Sequence, residues 1–304
     1  MGGGVKLSSG KLKVLAYADD IVLMASNPAS LQLMINDLEV YCKKWGLIIN
    51  LAKSKTMVFK KGGKPARAER WYLSGREIET VRSYKYLGVQ FTSTLTWDRH
   101  LEEKRNAVVA AVGLLWAPLF GNGQVGLSSK LKVFDAAIGA IMCYGAEVWG
   151  YQKSSKVDQA QIVCLRKIFG LHTTSPHYLI YMETGRRPLS AHTWQQHGNY
   201  VLKTLALQEK RLPNIITKEL MRRGRGWAAV WRAEADRLHI HIDFAEGRPE
   251  IEKSWQQISV ARAAEEESAW LQRARDSVFH AHYQKVFAQG QTASYLSSAS
   301  LRAI

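Results

Sequence analysis

Two adjacent carboxylates, Asp19 and Asp20, stand between two apolar runs in residues 12–25, LKVLAYADDIVLMA. Runs rich in Val, Ile and Leu around an Asp pair predict a β-hairpin with Tyr17-Ala18-Asp19-Asp20 at its tip and buried arms. Neighbouring negative charges repel, so a fold gains nothing by pairing them unless they are hydrated or neutralised. They suit a hard divalent cation such as Mg2+, which takes carboxylate oxygens and leaves positions open for phosphates. A solvated turn, in which Asp hydrogen-bonds its own backbone, explains the same dipeptide without a metal.

Other constellations carry weaker chemistry. His239-Ile240-His241-Ile242-Asp243 alternates so that polar residues share one face of a strand, which reads as a metal site or as a polar-out strand. His280 and His282 are two apart and do not converge on a helix. Arg222-Arg223-Gly224-Arg225-Gly226-Trp227 joins charge, flexibility and an aromatic ring. That mixture suits single-stranded nucleic acid, and equally a solvated loop between helices. There is no Gly-x-Gly-x-x-Gly, Walker loop or Gly-x-Ser-x-Gly elbow.

The chain has 304 residues, 46% of them apolar, enough for two domains and a substantial core. Forty-two Lys and Arg against 26 Asp and Glu leave +16, spread along the chain. That excess favours a polyanionic partner, nucleic acid before membrane. Cys42, Cys143 and Cys164 are too few and too widely spaced for a disulfide framework or a Cys-based zinc site. The first residues lack the apolar core of a signal peptide, and Lys6 stands where myristoylation needs Ser or Thr. No apolar run approaches the ~20 residues that span a bilayer. The expectation is a soluble protein of the nucleus or cytoplasm.

The elements that must position the carboxylates follow from periodicity. Residues 5–7 and 8–11 predict a strand and a turn that lead into the first arm of the Asp hairpin. Asn27-Pro28 caps a helix whose apolar residues, Leu31 to Trp45, recur every three or four positions, with Gly46 at its end. That stripe is expected to pack on the hairpin's sheet, with Cys42 and Trp45 in the core. Residues 47–50 predict a loop, 53–59 a strand and 60–64 a basic turn. Strand pattern returns at 71–73, 76–78 and 83–91, broken at Ser74-Gly75 and Gly88. After Trp97 the period turns helical: residues 98–119; 128–149, with Leu131, Phe134, Ile138, Ile141 and Met142 on one face; and 157–169, closed by Gly170. Further helices are predicted from Pro188 to Lys210 and, charged and interrupted, over 250–287. Residues 288–304 are expected to fray. The fold class is α+β, an antiparallel sheet with a packed helix followed by a mostly α-helical region, with the boundary near 92–97.

The order of these motifs resembles the reverse transcriptases of non-LTR, LINE-type retrotransposons. Tyr17-Ala18-Asp19-Asp20 resembles their YADD box. Gly46-Leu47-Ile48-Ile49-Asn50 with Lys53-Ser54 resembles the following palm motif, whose lysine lies near the incoming nucleotide. Tyr84-Lys85-Tyr86-Leu87-Gly88-Val89 resembles the hairpin that grips the primer. Leu95-Thr96-Trp97 with His100, Tyr144-Gly145-Ala146-Glu147-Val148-Trp149 and Leu165-Arg166-Lys167-Ile168 resemble the region beyond the palm. The likeness covers about residues 5–190.

The resemblance implies a partial palm over residues 1–96, a thumb-like helical region over 97–190 and a helical C-terminal region of unassigned role over 191–304. It implies nucleotidyl transfer through two Mg2+ (or Mn2+) ions about 4 Å apart. Asp19 would ligate metal, Asp20 would support or share it, and Lys53 would face the nucleotide's phosphates. Tyr17 and Ala18 would sit near the terminal base pair, and Tyr86, Leu87 and Gly88 would position the primer. An RNA template, a DNA primer and deoxynucleotide triphosphates are the implied partners. The family's further palm Asp and its fingers have no counterpart among the eighteen residues before Asp19, none of which is Asp or Glu. The expectation is therefore a truncated, element-derived chain that is inactive as a polymerase by itself. Its alternatives are a non-catalytic primer–template binding module and a non-functional remnant.

Overall fold

Asn27 begins the first helix as its residue type dictates. Its Oδ1 accepts the Ser30 amide at 2.8 Å, and Pro28 occupies the first helical position. A computed structural model describes residues 3–60 and 69–278 of the chain. It packs as two units, Met1–His100 with Gln208–Glu219, and Leu101–Leu207 with Leu220–Ile304. Among the described residues, no helix is long and apolar enough to cross a membrane.

In the first unit the described strands form four separate antiparallel hairpins. These are β1 (Val5–Leu7) with β2 (Gly10–Leu12), β3 (Val14–Tyr17) with β4 (Asp20–Leu23), β5 (Trp71–Leu73) with β6 (Arg76–Ile78), and β7 (Ser83–Tyr86) with β8 (Val89–Thr92). Two corrections follow. Residues 5–12 close on themselves as a hairpin, so Leu12 does not belong to the Asp hairpin, whose first arm starts at Val14. The arms of that hairpin are also not buried: Val14 is 48% exposed and Ile21 46%.

The reason lies in where helix α1 (Pro28–Lys44) packs. Its apolar stripe lies chiefly on β5 rather than on the Asp hairpin, with Ile35, Trp71, Leu73 and Ile78 forming the buried core and Leu23 and Leu31 packed against it. Polar side chains reinforce that choice. Gln32 Oε1 accepts the Tyr72 amide and its Nε2 donates to the Tyr72 carbonyl, both at 2.8 Å, so one side chain pairs with β5 as a strand would. Glu39 accepts from Lys43 Nζ at 2.7 Å and from the Ser74 hydroxyl and amide at 2.7 and 3.1 Å. Those bonds hold its carboxyl down at about 2. Cys42 is buried as expected, but Trp45 is 61% exposed. It lies past the end of the β5–β6 contact, beside Tyr41 and Lys44. The strand expected over 53–59 is reduced to one parallel bridge, Thr56 with Thr80.

The second unit is helical. It contains most of α2 (Asp98–Leu115), α3 (Leu127–Val133), α4 (Ala140–Met142), α5 (Ala146–Trp149), α6 (Ser155–Ile168), α7 (His177–Thr184), α8 (Leu189–Leu205), the end of α9 (Leu212–Arg223), α10 (Trp227–Arg237) and α11 (Arg248–Asp276). Trp116–Phe120 widens into a π turn around Pro118, which has no amide to donate. The helix expected over 128–149 keeps Phe134, Ile138 and Met142 buried, but it passes through a second π turn and breaks where Gly145 turns left-handed at φ 73°. The helix expected to reach Lys210 stops at Leu205, because Pro213 in the first turn of α9 disfavours continuing helix before it. Residues 239–243 form no strand. Ile242 is buried and Ile240 packs against the same core, so apolar packing explains the alternation. The last helix is unbroken over Arg248–Asp276. The expectations for residues 61–64, 279–287, His280, His282 and 288–304 lie outside the described residues.

Tryptophan dominates the second core. Trp231 is fully buried, 4.9 Å from Trp227, 5.9 Å from Trp194 and 6.1 Å from Trp255 between ring centroids. A Cβ at Gly198 would collide with the Trp255 indole, so only glycine lets α11 press this ring onto α8. The start of α8 is capped from α6: Asp158 accepts the Ser190 amide and hydroxyl at 2.9 and 2.7 Å, and Gln161 Oε1 accepts the Leu189 amide at 2.9 Å. The three cysteines are buried and unbonded, and burial pushes the Cys143 thiol up to about 12 and Cys164 to about 11.

His197 lies against Trp227 and Trp231 and donates Nδ1–H to the Glu147 carbonyl at 2.7 Å. Burial lowers its pKa from 6.5 to about 4. The unfolded chain therefore takes the proton first as pH falls, and a stability contribution of order 3 kcal/mol, complete above pH 6.5, is lost towards pH 4. The melting temperature is expected to fall across that window. In His197→Asn, which keeps the donor but does not titrate, that part of the slope should vanish; an identical pH profile in the variant would refute the assignment.

Candidate functional site

β3 and β4 pair Tyr17 with Asp20, so Ala18 and Asp19 alone make the turn. Two-residue loops that match the twist of an antiparallel ribbon favour positive φ at a central residue, and Ala18 takes it at 51°. Left-handed backbone is unfavourable for a residue with a Cβ, so the tip stores strain beside the two carboxylates. Tyr17 is 65% exposed, and Asp19 and Asp20 are exposed too. Among the described residues neither carboxylate takes part in a hydrogen bond or ion pair. Two exposed carboxylates with no partner among the described residues can receive a cation.

Lys53 is held by its backbone. Asn50 accepts the Lys53 amide through its side chain at 3.1 Å and through its carbonyl at 3.2 Å, and that carbonyl also accepts the Ser54 amide at 3.0 Å. The Tyr84 hydroxyl donates to the Lys53 carbonyl at 3.2 Å, which joins this loop to β7. Lys55 is neutralised by Glu79 at 2.6 Å, whereas the exposed Lys53 ammonium has no partner among the described residues. Asn50 acts here as a turn former and Tyr84 as a tether. The Asx turn was open to sequence reading from an Asn three residues before Lys53. The Tyr84 bond was not, because it spans 31 positions.

The β7–β8 hairpin pairs Tyr86 with Val89 across Leu87 and Gly88. Both turn residues are left-handed, φ 47° and 78°, the signature of a type I′ turn. Leu87 is 42% exposed and Tyr86 half-buried. Behind the tip the hairpin is anchored. Fully buried His100 accepts the Gln90 amide on Nδ1 at 3.2 Å, and Phe91 meets Trp97 edge-on at 5.8 Å. Lys53 and the β7–β8 hairpin are thus joined by a hydrogen bond, while none links either to Asp19 or Asp20 among the described residues. Among the described residues no cluster of three or more His, Cys, Asp or Glu is assembled either.

Residues 4–91, which include both hairpin tips and Lys53, match the sequence model of the family Reverse transcriptase (RNA-dependent DNA polymerase). This stretch belongs to the reverse transcriptase family. Relatives it matches are named as RNA-directed DNA polymerases of mobile elements and as a transposon-derived protein. The chain is 26% identical over 171 residues to an RNA-directed DNA polymerase from mobile element jockey of Drosophila melanogaster, covering 52% of this chain and 18% of that protein. It is 26% identical over 218 residues to a probable RNA-directed DNA polymerase from transposon BS of the same fly, covering 69% of this chain and 24% of that one. A putative uncharacterized transposon-derived protein of Caenorhabditis elegans is 26% identical over 181 residues, 56% of this chain and 61% of that relative. The chain thus spans about a fifth to a quarter of the fly polymerases it matches. No solved structure matches it.

The β7–β8 tip of this reverse-transcriptase segment yields two opposed expectations. Leu87→Asn creates the Asn-Gly pair that a type I′ turn favours, and it should raise stability by about 1 kcal/mol in urea unfolding. If Leu87 also touches a primer, the same variant should bind a primer–template duplex several-fold more weakly. Loss of stability in Leu87→Asn would contradict the turn assignment.

Proposed function

We propose that this segment engages a primer–template end and a nucleotide at its two hairpin tips, as part of an RNA-directed DNA polymerase site that its own ligands do not complete. The observation that carries this reading is the unpaired Asp19-Asp20 tip, inside a stretch that matches the reverse transcriptase family. In this reading residues 1–96 are a partial palm, 97–190 a thumb-like region, and the partners are RNA template, DNA primer and deoxynucleotide triphosphate.

The donor set fits one hard ion and not two. Mg2+ or Mn2+ is held by one or two carboxylates with phosphate and water oxygens completing its shell, and Asp19 and Asp20 supply that much. A pair of ions about 4 Å apart needs more carboxylate than the described residues bring together. When bound with a triphosphate, the ion would neutralise charge on the transferring phosphoryl group. Asp19 would hold the cation from the loop, and Asp20, in register opposite Tyr17, would supply the second carboxylate. Tyr17 and Ala18 lie against the terminal base pair. Lys53 would place a compact positive charge on the triphosphate and could give a proton to the leaving pyrophosphate. Tyr86 and Leu87 seat the primer strand, and Gly88 lets its backbone approach closely.

Primer extension on an RNA template with Mg2+ and four deoxynucleotides tests this, with duplex binding measured in the same tubes. The expected result is salt-sensitive primer–template binding without extension, unchanged in Asp19→Asn/Asp20→Asn when Mg2+ is absent. Extension by the wild type that is lost in this variant would show a complete catalytic site. Absence of binding at low salt would overturn the nucleic-acid reading altogether.

A further inference from the structure

A cleft of about 1470 Å3 opens in the second unit between α6, α7, α8 and α11. Its volume exceeds the ~300–1,000 Å3 of ordinary small-molecule sites, so it suits an extended ligand. The cations that line the cleft differ in charge compensation. Three of them have carboxylates. Arg237 meets Glu234 at 2.8 Å and Glu265 at 2.7 Å, Arg262 meets Glu234 at 3.4 Å, and Lys153 meets Glu266 at 3.8 Å.

The other three lack this compensation among the described residues. Arg166 donates through Nε at 3.0 Å, and also through Nη2, to the Ser175 carbonyl, and it has no carboxylate partner among the described residues. Arg187 and Arg273 are exposed, line the same cleft, and their guanidinium groups have no partner among the described residues. His177 lies between these charges: burial first, then the positive fields of Arg273 and Arg166, hold it below the usual imidazole range. Beside them Trp270 is half-buried, stacked on the buried Tyr181 ring at 5.1 Å and 21°.

Uncompensated guanidinium groups flanking a rigidly backed indole are what a phosphodiester strand with unstacked bases requires. An acidic peptide would use the charges but not the aromatic platform. We propose that this cleft holds a single-stranded nucleic-acid segment, its phosphates on Arg166, Arg187 and Arg273 and a base against Trp270. The proposal deepens the nucleic-acid part of the reading above and is independent of any chemistry at Asp19.

The test uses the full chain and a fluorescent oligouridylate of about ten nucleotides, followed by anisotropy at about 0.1 M salt. Arg187→Ala/Arg273→Ala removes two side chains that make no bonds among the described residues, so its melting temperature should match the wild type. Its Kd should rise about tenfold and its salt slope should shrink by one to two counterions. Photocrosslinking of iodouridine in the same oligomer to the wild type should map to residues 166–187 or 270–273. Unchanged affinity in the double variant, or crosslinks confined elsewhere, overturns the proposal. So does displacement of the oligomer by inorganic phosphate or polyglutamate at equal charge, which would mark a plain anion site. Asp19→Asn/Asp20→Asn should leave oligouridylate binding intact. A loss there would move the strand to the hairpin and sink this site while sparing the polymerase reading.

Discussion

Three of the described hairpins close a two-residue loop with left-handed backbone, and the candidate chemistry of this chain sits on two of those turns. At Ser74-Gly75 and Leu87-Gly88 both loop residues take positive φ; at Ala18-Asp19 only Ala18 does. Each hairpin therefore ends in a sharp, protruding point. One point carries Asp19 and Asp20, the other Leu87 and Gly88. Two of the strained residues, Ala18 and Leu87, have side chains where glycine or asparagine would be easier. Both stand at the tips for which primer-side contacts are proposed.

Compensation of charge divides the molecule into scaffold and site. Glu39 and Asp158 are carboxylates put to structural use: the first anchors the β5–β6 turn to α1, the second caps α8. Lys55, Arg237 and Arg262 are likewise matched by carboxylates. Asp19, Asp20, Lys53, Arg187 and Arg273 are exposed, and no described partner neutralises them. Such charges add little to stability in water. They are the ones available to a cation, a triphosphate or a phosphodiester backbone.

The two units reach stability by different means. The first has a small core in which α1 covers one hairpin, and Gln32 stands in for a neighbouring strand by satisfying Tyr72. The second buries tryptophans around Trp231 and uses Gly198 to bring α11 onto α8. Large aromatic rings supply much apolar area per residue, and glycine lets one of them reach backbone.

The sequence by itself determined the local features: the Asn27-Pro28 helix start, the hairpins at 71–78 and 83–92, the helical period after Trp97, and an ordered set of motifs matching a reverse transcriptase segment. These are legible because caps, turns and periodicity act within a few residues. Only the tertiary structure decided which apolar faces were covered. Trp45 and the Asp hairpin's arms look like core yet stand exposed, because α1 spends its stripe on β5. Residues 239–243 look like a strand yet are coil packed on the tryptophan core. The Tyr84 tether on Lys53, the His100 anchor under β8 and the uncompensated cations of the cleft each join residues far apart in the chain. Burial and charge pairing are settled by such distant neighbours, and no local pattern encodes them.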